Sequence, residues 1–292
     1  NSQPWKFSIK GTTAFLKPEL QRAIPMSDPA QRQMFISLGC ALENLLIAAD
    51  YYNLKNEVAY NEADDASIKI DFEKPGPIKD EKNHLIFSIP KRRTNRNKYR
   101  ERIPEKEFLN KISGFSNNDA RIELIIEKNT KNTLAGIAIE AQIEAMENKN
   151  FRKELSEYLK SNITNSKTGM PAVGFGMPTL ISLFAPTLIK YVNVNKLSRK
   201  KDEVLLKKHT PILGVISTIK DNKEGWIKAG QLYERIALEA ERQNISTAPL
   251  AAAVQTKNFH EDIKKLLNSN LRPQLLFRLG YSDKAALHTP RL

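Results

Sequence analysis

The sequence predicts an α+β protein whose two pseudo-symmetric halves pack as an intrachain dimer around long central helices. Two observations carry this expectation. Strand-like and helix-like segments follow one another without the regular β–α–β alternation of a parallel sheet, and one long helical segment rich in small residues occurs twice. With Gly39 laid on Gly230, Glu43 falls on Glu234, Leu45 on Ile236, Ala49 on Ala240, Asn53 on Asn244 and Leu54 on Ile245. Any two amphipathic helices share an apolar period, so the matching Gly, Glu and terminal Asn-Leu/Ile are what argue for duplication. Gly39, Ala41, Ala48 and Ala49 would let a second helix approach closely, which suggests that the two copies meet at a pseudo-twofold axis. The expected halves are residues 1–85 and 86–292, sharing one core, with a lid-like insertion at about 161–209 in the second.

Along the chain, Trp5, Phe7 and Ile9 alternate with polar residues and predict a strand over Trp5–Lys10. Thr12–Leu16 can pair with it across Gly11. Asp28 reads as an N-cap with Pro29 at the first helical position, opening a helix that runs to about Asn53. Its apolar face is Phe35, Leu38, Ala41, Leu42, Leu45 and Ala49. Strands are expected at Glu57–Tyr60 and Ser67–Phe72. A basic helix entry follows Pro90, then a helix at Pro104–Ile112, a strand at Arg121–Glu127, and helices at Thr130–Glu147 and Asn150–Leu159. Ser161–His209 mixes Gly, Pro and apolar residues, which is loop or lid behaviour. Pro211–Ile219 reads as a strand and Lys223–Asn244 as the second long helix. A helix at Asp262–Leu267, a strand at Pro273–Leu279 and a turn at Gly280 close the chain.

Composition bounds the function classes. A 40% hydrophobic and 27% charged chain has the make-up of a globular protein. The formal charge of +13 could serve nucleic acid, an acidic surface or a phosphate-bearing ligand. Its Lys and Arg are spread along the chain, densest at Lys91–Arg102 and Lys196–Lys208, without zinc-finger spacing or interleaved aromatic and basic residues. No nucleic acid is expected. The single cysteine, Cys40, rules out an intrachain disulfide and reads as a packing residue on a helix. His84, His209, His260 and His288 lack metal-ligand spacing. The longest apolar stretch, near Pro178–Ile189, is too short and proline-broken to span a bilayer. Asn1 stands where an initiator Met would, so an upstream segment is expected.

Three segments carry chemistry: Asn1-Ser2-Gln3-Pro4-Trp5-Lys6-Phe7; Arg92-Arg93-Thr94-Asn95-Arg96; and Gly225–Gly230 followed by Ser246-Thr247-Ala248-Pro249-Leu250, with the tail Leu279-Gly280-Tyr281 to Thr289-Pro290-Arg291. A doubly charged phosphate wants guanidinium donors and a short hydroxyl. Arg92, Arg93, Thr94 and Arg96 supply these, although alone they would read as a solvated basic turn. Asn1 and Gln3 carry amides that can both donate and accept, whereas Trp5, alternating with Phe7, reads as core.

Together, in this order and spacing, the segments resemble the nitroreductase family, and in particular its fused Acg-type branch. The resemblance covers most of the chain, Ser161–His209 least. It implies a nitroreductase-like fold and bound FMN, with Arg92, Arg93, Thr94, Arg96 and Arg291 at the phosphate and ribityl chain. Asn1 and Gln3 would lie at the ribityl and pyrimidine edge, and a backbone amide within Ala248, Pro249 and Leu250 near flavin N5. The small Ser residues that precede the family's Asn-x-Gln-Pro-Trp segment are absent here. Because the basic segment occurs only in the second half and Asn-x-Gln-Pro-Trp only in the first, one flavin per chain is expected. The flavin carries the electrons, so no catalytic acid, base or nucleophile is assigned.

The implied reaction takes electrons from NAD(P)H to a nitroaromatic or quinone-like small-molecule acceptor in ping-pong fashion. The rival reading is a flavin-storing protein whose flap, the Gly169–Pro178 run with Phe175, closes the site. Tyr99 is a candidate for shaping the pocket. A third class is a basic surface-binding module. A cytoplasmic chain is expected, monomeric because its dimer is internal.

Overall fold

The computed structural model describes residues 3–60, 67–75, 85–166, 168–175, 177–193 and 195–286. Alternation in the first strands sends one face inward, as a half-buried antiparallel sheet requires. β1 (Trp5–Lys10) pairs antiparallel with β2 (Thr13–Pro18), where Ala14 and Leu16 are buried. Helix α1 (Arg32–Tyr51) covers that face with Phe35, Leu38 and Leu42, and β3 (Asn56–Tyr60) and β4 (Ile68–Phe72) complete a sheet of order β1-β2-β4-β3. Trp5 packs on this core, but Phe7 and Ile9 on the edge strand are exposed.

Two details of α1 depart from expectation. It starts at Arg32, after Gln31 in the left-handed conformation (φ 60), so Pro29 is not its first helical residue. The N-cap is Gln31, not Asp28, although Asp28 reaches forward to accept from the Met34 amide at 3.1 Å. Arg32 is buried there and donates to the Gln274 carbonyl at 2.6 Å.

The chain continues with α2 (Lys106–Ser113), β5 (Ala120–Ile125) and α3 (Lys128–Glu147), the last capped by the Glu127 carboxylate on the Asn129 and Thr130 amides. Ser161–His209, expected as irregular chain, is largely helical. After α4 (Lys149–Tyr158) come β6 (Leu159–Lys160) and β7 (Met170–Pro171), a short parallel pair, then α5 (Thr179–Tyr191) and α6 (Asn195–Glu203). Composition misled here: Pro178 is tolerated just before a helix, and Pro186 sits inside α5 on a half-exposed position.

β8 (Ile212–Thr218) is buried at every residue, since it has a helix on either face. Ile212 and Ile216 face α7 (Lys223–Arg242), while Leu213 and Val215 face α3. β9 (Ser246–Pro249) and α8 (Ala252–Gln255), neither anticipated as elements, are followed by α9 (Phe259–Leu266) and β10 (Arg272–Gly280). The second sheet has the order β5-β8-β10-β9. In both sheets the long helix follows the second strand, and the last two strands enter in exchanged order.

α1 and α7 pack on each other at two glycines. A Cβ on Gly39 would stand 2.0 Å from the Ile227 carbonyl oxygen, and one on Gly230 would stand 2.0 Å from that of Ile36. Each glycine thus admits the carbonyl three residues before the other glycine, a reciprocal contact of the isologous kind. Both helices also end alike. Asn53 (φ 50) and Asn244 (φ 56) are left-handed, and the next amides, Leu54 and Ile245, reach back to Ala49 and Ala240, each at 2.8 Å. This is the Schellman closure, which Asn can enter where most residues resist a positive φ. α1 passes a length-and-hydropathy test for a membrane-crossing helix, but it is mostly buried as the core helix of the first half.

Candidate functional site

On one side of the α1–α7 crossing, buried Glu43 accepts from Arg235 at 2.5 Å and from Gln231 at 3.2 Å. On the other, buried Glu234 accepts from Asn44 at 3.2 Å and pairs with Arg92 at 2.9 Å. Arg92 is therefore turned to a carboxylate. That neighbour raises its pKa, while desolvation opposes. Cys40 is next to this pair, bonded to the Gly230 carbonyl, and burial pushes its thiol well up, as for a packing rather than a reactive cysteine.

The basic segment is not a helix entry. Thr94 forms a parallel bridge with Thr247 of β9, and the Asn95 amide donates to the Thr247 carbonyl at 3.0 Å. Backbone pairing with the sheet edge holds the chain extended. Arg93 folds back, donating to the Pro90 and Arg92 carbonyls at 2.7 and 2.8 Å. Arg96 is exposed to solvent, yet desolvation by the surrounding protein lowers its pKa.

Of the residues that fix this loop, the sequence pointed to Tyr99, as a pocket-shaping residue, and gave no role to Asn95 or Arg278. Asn95 is buried and donates to the Ser246 hydroxyl at 3.1 Å and to the Lys284 carbonyl at 2.8 Å. Its own side-chain oxygen accepts from the Asn97 amide. Buried Tyr99 donates to the Asn95 carbonyl at 2.6 Å, so its place is beneath the loop. Arg278, buried in β10, lies over the Tyr99 ring at 4.1 Å and donates to the Thr210 hydroxyl and to the Asn97 and His209 carbonyls. Desolvation lowers the Arg278 pKa, with neutral oxygens taking these bonds. A lone Arg within an apolar strand, Leu275–Leu279, was the available signal for such a buried hub. Tyr233 of α7 closes the floor, its hydroxyl 3.3 Å from that of Thr247 and its pKa pushed up to about 12 by burial.

Of the other expected site residues, Ala248 is buried in β9 opposite Arg278, and Pro249 lies opposite Phe277. The Leu250 amide donates to the Leu276 carbonyl at 2.7 Å, so it is committed to the sheet. Ala251 and Ala252 follow at the start of α8, where amides lack partners within the helix. Gln3 precedes β1 with φ 41, its carbonyl accepting from Arg22 at 2.8 Å and from the Trp5 amide. Asn1 and Arg291 lie outside the described residues. The structure thus brings 92–96 together with 246–250. Among the described residues no cluster of three or more His, Cys, Asp or Glu is placed to hold a metal ion.

The α4–α5 cap is fastened to the segment that precedes α1. Glu154 accepts from the Met26 and Ser27 amides at 3.0 and 2.7 Å, and Tyr158 bonds the Arg22 carbonyl. Between them lies a cavity of about 280 Å³ lined by Arg22, Glu157, Tyr158, Lys160, Thr168 and Gly169. Since Arg22 also holds Gln3, the cap edge is beside the start of the Gln-Pro-Trp segment.

No family model matches the sequence, and no curated protein matches it. Solved structures similar to part of the chain include the FMN-dependent nitroreductase NfnB from Mycobacterium smegmatis in complex with NADPH, at a TM-score of 0.47 and 16% identity over 70% of this chain and 92% of that one. A nitroreductase with bound FMN from Bacteroides fragilis follows at 0.44 and 13%, over 72% and 94%. B. megaterium NfrA2 stands at 0.42 and 14%, over 72% and 71%.

Proposed function

We propose that this chain is an FMN-binding oxidoreductase of nitroreductase type. One flavin would lie on the Glu234 side of the α1–α7 crossing, serving NAD(P)H and then a nitroaromatic or quinone-like acceptor. The observation that carries the reading is the pairing of Thr94 and Asn95 with Thr247. It joins two of the three chemistry-bearing segments through backbone bonds, with the third, at Gln3, beneath the edge of the cap. The donor set fits an anion: the exposed guanidinium of Arg96 and the Thr94 hydroxyl suit a phosphate. Arg92 acts at one remove, as a positioning residue that anchors the segment on Glu234.

Bound FMN would accept a hydride and pass electrons to the acceptor, so the protein's task is to bind and orient. In this reading Gln3, with Asn1 beside it, offers amide groups to the polar edge of the ring system. Ala251 and Ala252 take over from Leu250 the role of amide donor. Arg291 adds positive charge at the phosphate. The cap limits water at the site. The equivalent glycine contacts, helix closures and strand orders support two copied halves, residues 1–85 and 86–292, and hence a monomer with one flavin.

One observation favours a flavin-storing protein instead: Glu154 and Tyr158 pin the cap to the first half. Anaerobic mixing of the yellow protein with NADPH or NADH separates the two. Prompt bleaching is the result expected of the reductase, and flavin that stays oxidised identifies storage. A colourless protein that takes up no added FMN overturns both.

A further inference from the structure

We propose that α5 docks the protein on an anionic bilayer surface, lying in the headgroup region without crossing it. Ser182, Ala185 and Ile189 seat α5 on the protein. The remainder of the helix shows solvent Leu180, Ile181, Leu183, Phe184, Leu188 and Tyr191, with Leu180 78%, Phe184 72% and Tyr191 71% exposed. Leu180, Phe184, Leu188 and Tyr191 follow at helical spacing and form one stripe. A contiguous apolar face of this kind on a soluble-style surface marks an interaction site.

Charge identifies the occupant. Between Glu157 and Asp202 the chain has seven Lys or Arg and no acidic residue. Lys190 lies on α5 itself, against the Tyr191 ring, and α6, which begins at Asn195, carries exposed Lys200. An apolar stripe on a segment this rich in Lys and Arg matches anionic headgroups over acyl chains, although Arg199 is itself paired with Glu140 and Glu203. A second copy of the chain fits poorly, because a twofold contact through α5 would set like basic borders against each other on molecules of charge +13. At 13 residues and about 1.5 Å per residue, α5 is about 20 Å long, short of the roughly 30 Å hydrocarbon core. It can therefore lie on a membrane but not span it. The proposal rests on the cap alone and is independent of the flavin reading.

Vesicle flotation tests it, with equimolar phosphatidylglycerol and phosphatidylcholine against phosphatidylcholine alone. Wild type is expected to float with the anionic vesicles only, and to be released as salt approaches about 1 M, where the screening length falls to about 3 Å. The double variant Leu180→Ser/Phe184→Ser should bind roughly tenfold or more weakly with an unchanged thermal midpoint, both positions being exposed. Lys190→Glu/Lys200→Glu should weaken binding while leaving the apolar face intact. Equal flotation with neutral vesicles, no flotation with either, or an α5-dependent dimer in light scattering would each overturn the proposal.

Discussion

The two faces of the α1–α7 crossing use equivalent glutamates differently. Glu43 takes its cation from the facing helix, Arg235, which is 43% exposed. Position 44 on α1, the counterpart of 235, is Asn, so Glu234 receives an amide there and finds its cation in Arg92, only 23% exposed, from the basic segment. One exchange of Arg for Asn thus leaves a buried carboxylate whose positive partner has to come from elsewhere. Arg92 answers that need, and in doing so delivers Thr94, Asn95 and Arg96 to the edge of β9. Among the described residues the Glu43 face has no such recruit and is closed by Gln231 and Tyr60, whose hydroxyl is 3.4 Å from Gln231. Near-equivalence at the backbone therefore gives two chemically unlike faces.

The sharpest way to break this comparison is to remove each glutamate. Glu234→Ala leaves Arg92 largely buried and unpaired, and should cost about 3 kcal/mol or more in denaturant unfolding. Glu43→Ala leaves Arg235 able to hydrate and should cost about 1 kcal/mol. Equal losses would mean that the two faces are energetically alike.

Next in size is Arg96→Ala, which removes a charge-assisted contact and should weaken FMN binding by about 2 kcal/mol, or roughly thirtyfold. Global stability should hardly change, since Arg96 is exposed. The equivalent loss from truncating Arg235 should be absent. Fluorescence titration of FMN into the three proteins reads this directly.

The smallest effect is in pH. Burial raises the Glu43 pKa above its ordinary value, against the opposing pull of Arg235. The folded state then holds a proton that the unfolded state has released. Glu43 accordingly contributes stability that is full below the ordinary carboxylate value of 4.5 and is lost as pH rises through the folded pKa. Glu43→Gln should flatten that fall in unfolding free energy above pH 4.5. An unchanged slope would remove Glu43 as its source.

Much of the α1–α7 crossing was legible because its two helices carry matching residues. Gly39 and Gly230, Glu43 and Glu234, and Asn53 and Asn244 are fixed by close approach, buried charge and positive φ, all of which restrict residue type and so leave a readable trace. Apart from β9, the strands of the two four-stranded sheets and the long helices followed from period alone. The site was half legible. Thr94 and Arg96 were named for their chemistry and Tyr99 as a pocket-shaping residue, but Asn95 and Arg278 were given no role, since theirs arise from contacts across 68 to 189 residues of chain that no local pattern encodes. Arg92–Arg96 was misread as a helix entry because pairing with Thr247 overrides local preference. The Gly- and Pro-rich run up to α5 concealed two helices for the complementary reason: burial of Ser182, Ala185 and Ile189 on α4, not propensity, holds the first of them. Leu250 was placed correctly after α7, yet its amide is used by Leu276, which only the sheet register reveals.

The difference between the two faces is tested most directly by counting FMN in the purified protein after saturation and removal of free flavin, by absorbance of the released cofactor against chain concentration. One FMN per chain is the expected result, lost when Glu234 and Arg96 are replaced together and kept when Glu43 and Arg235 are. Two per chain, or none, would contradict it.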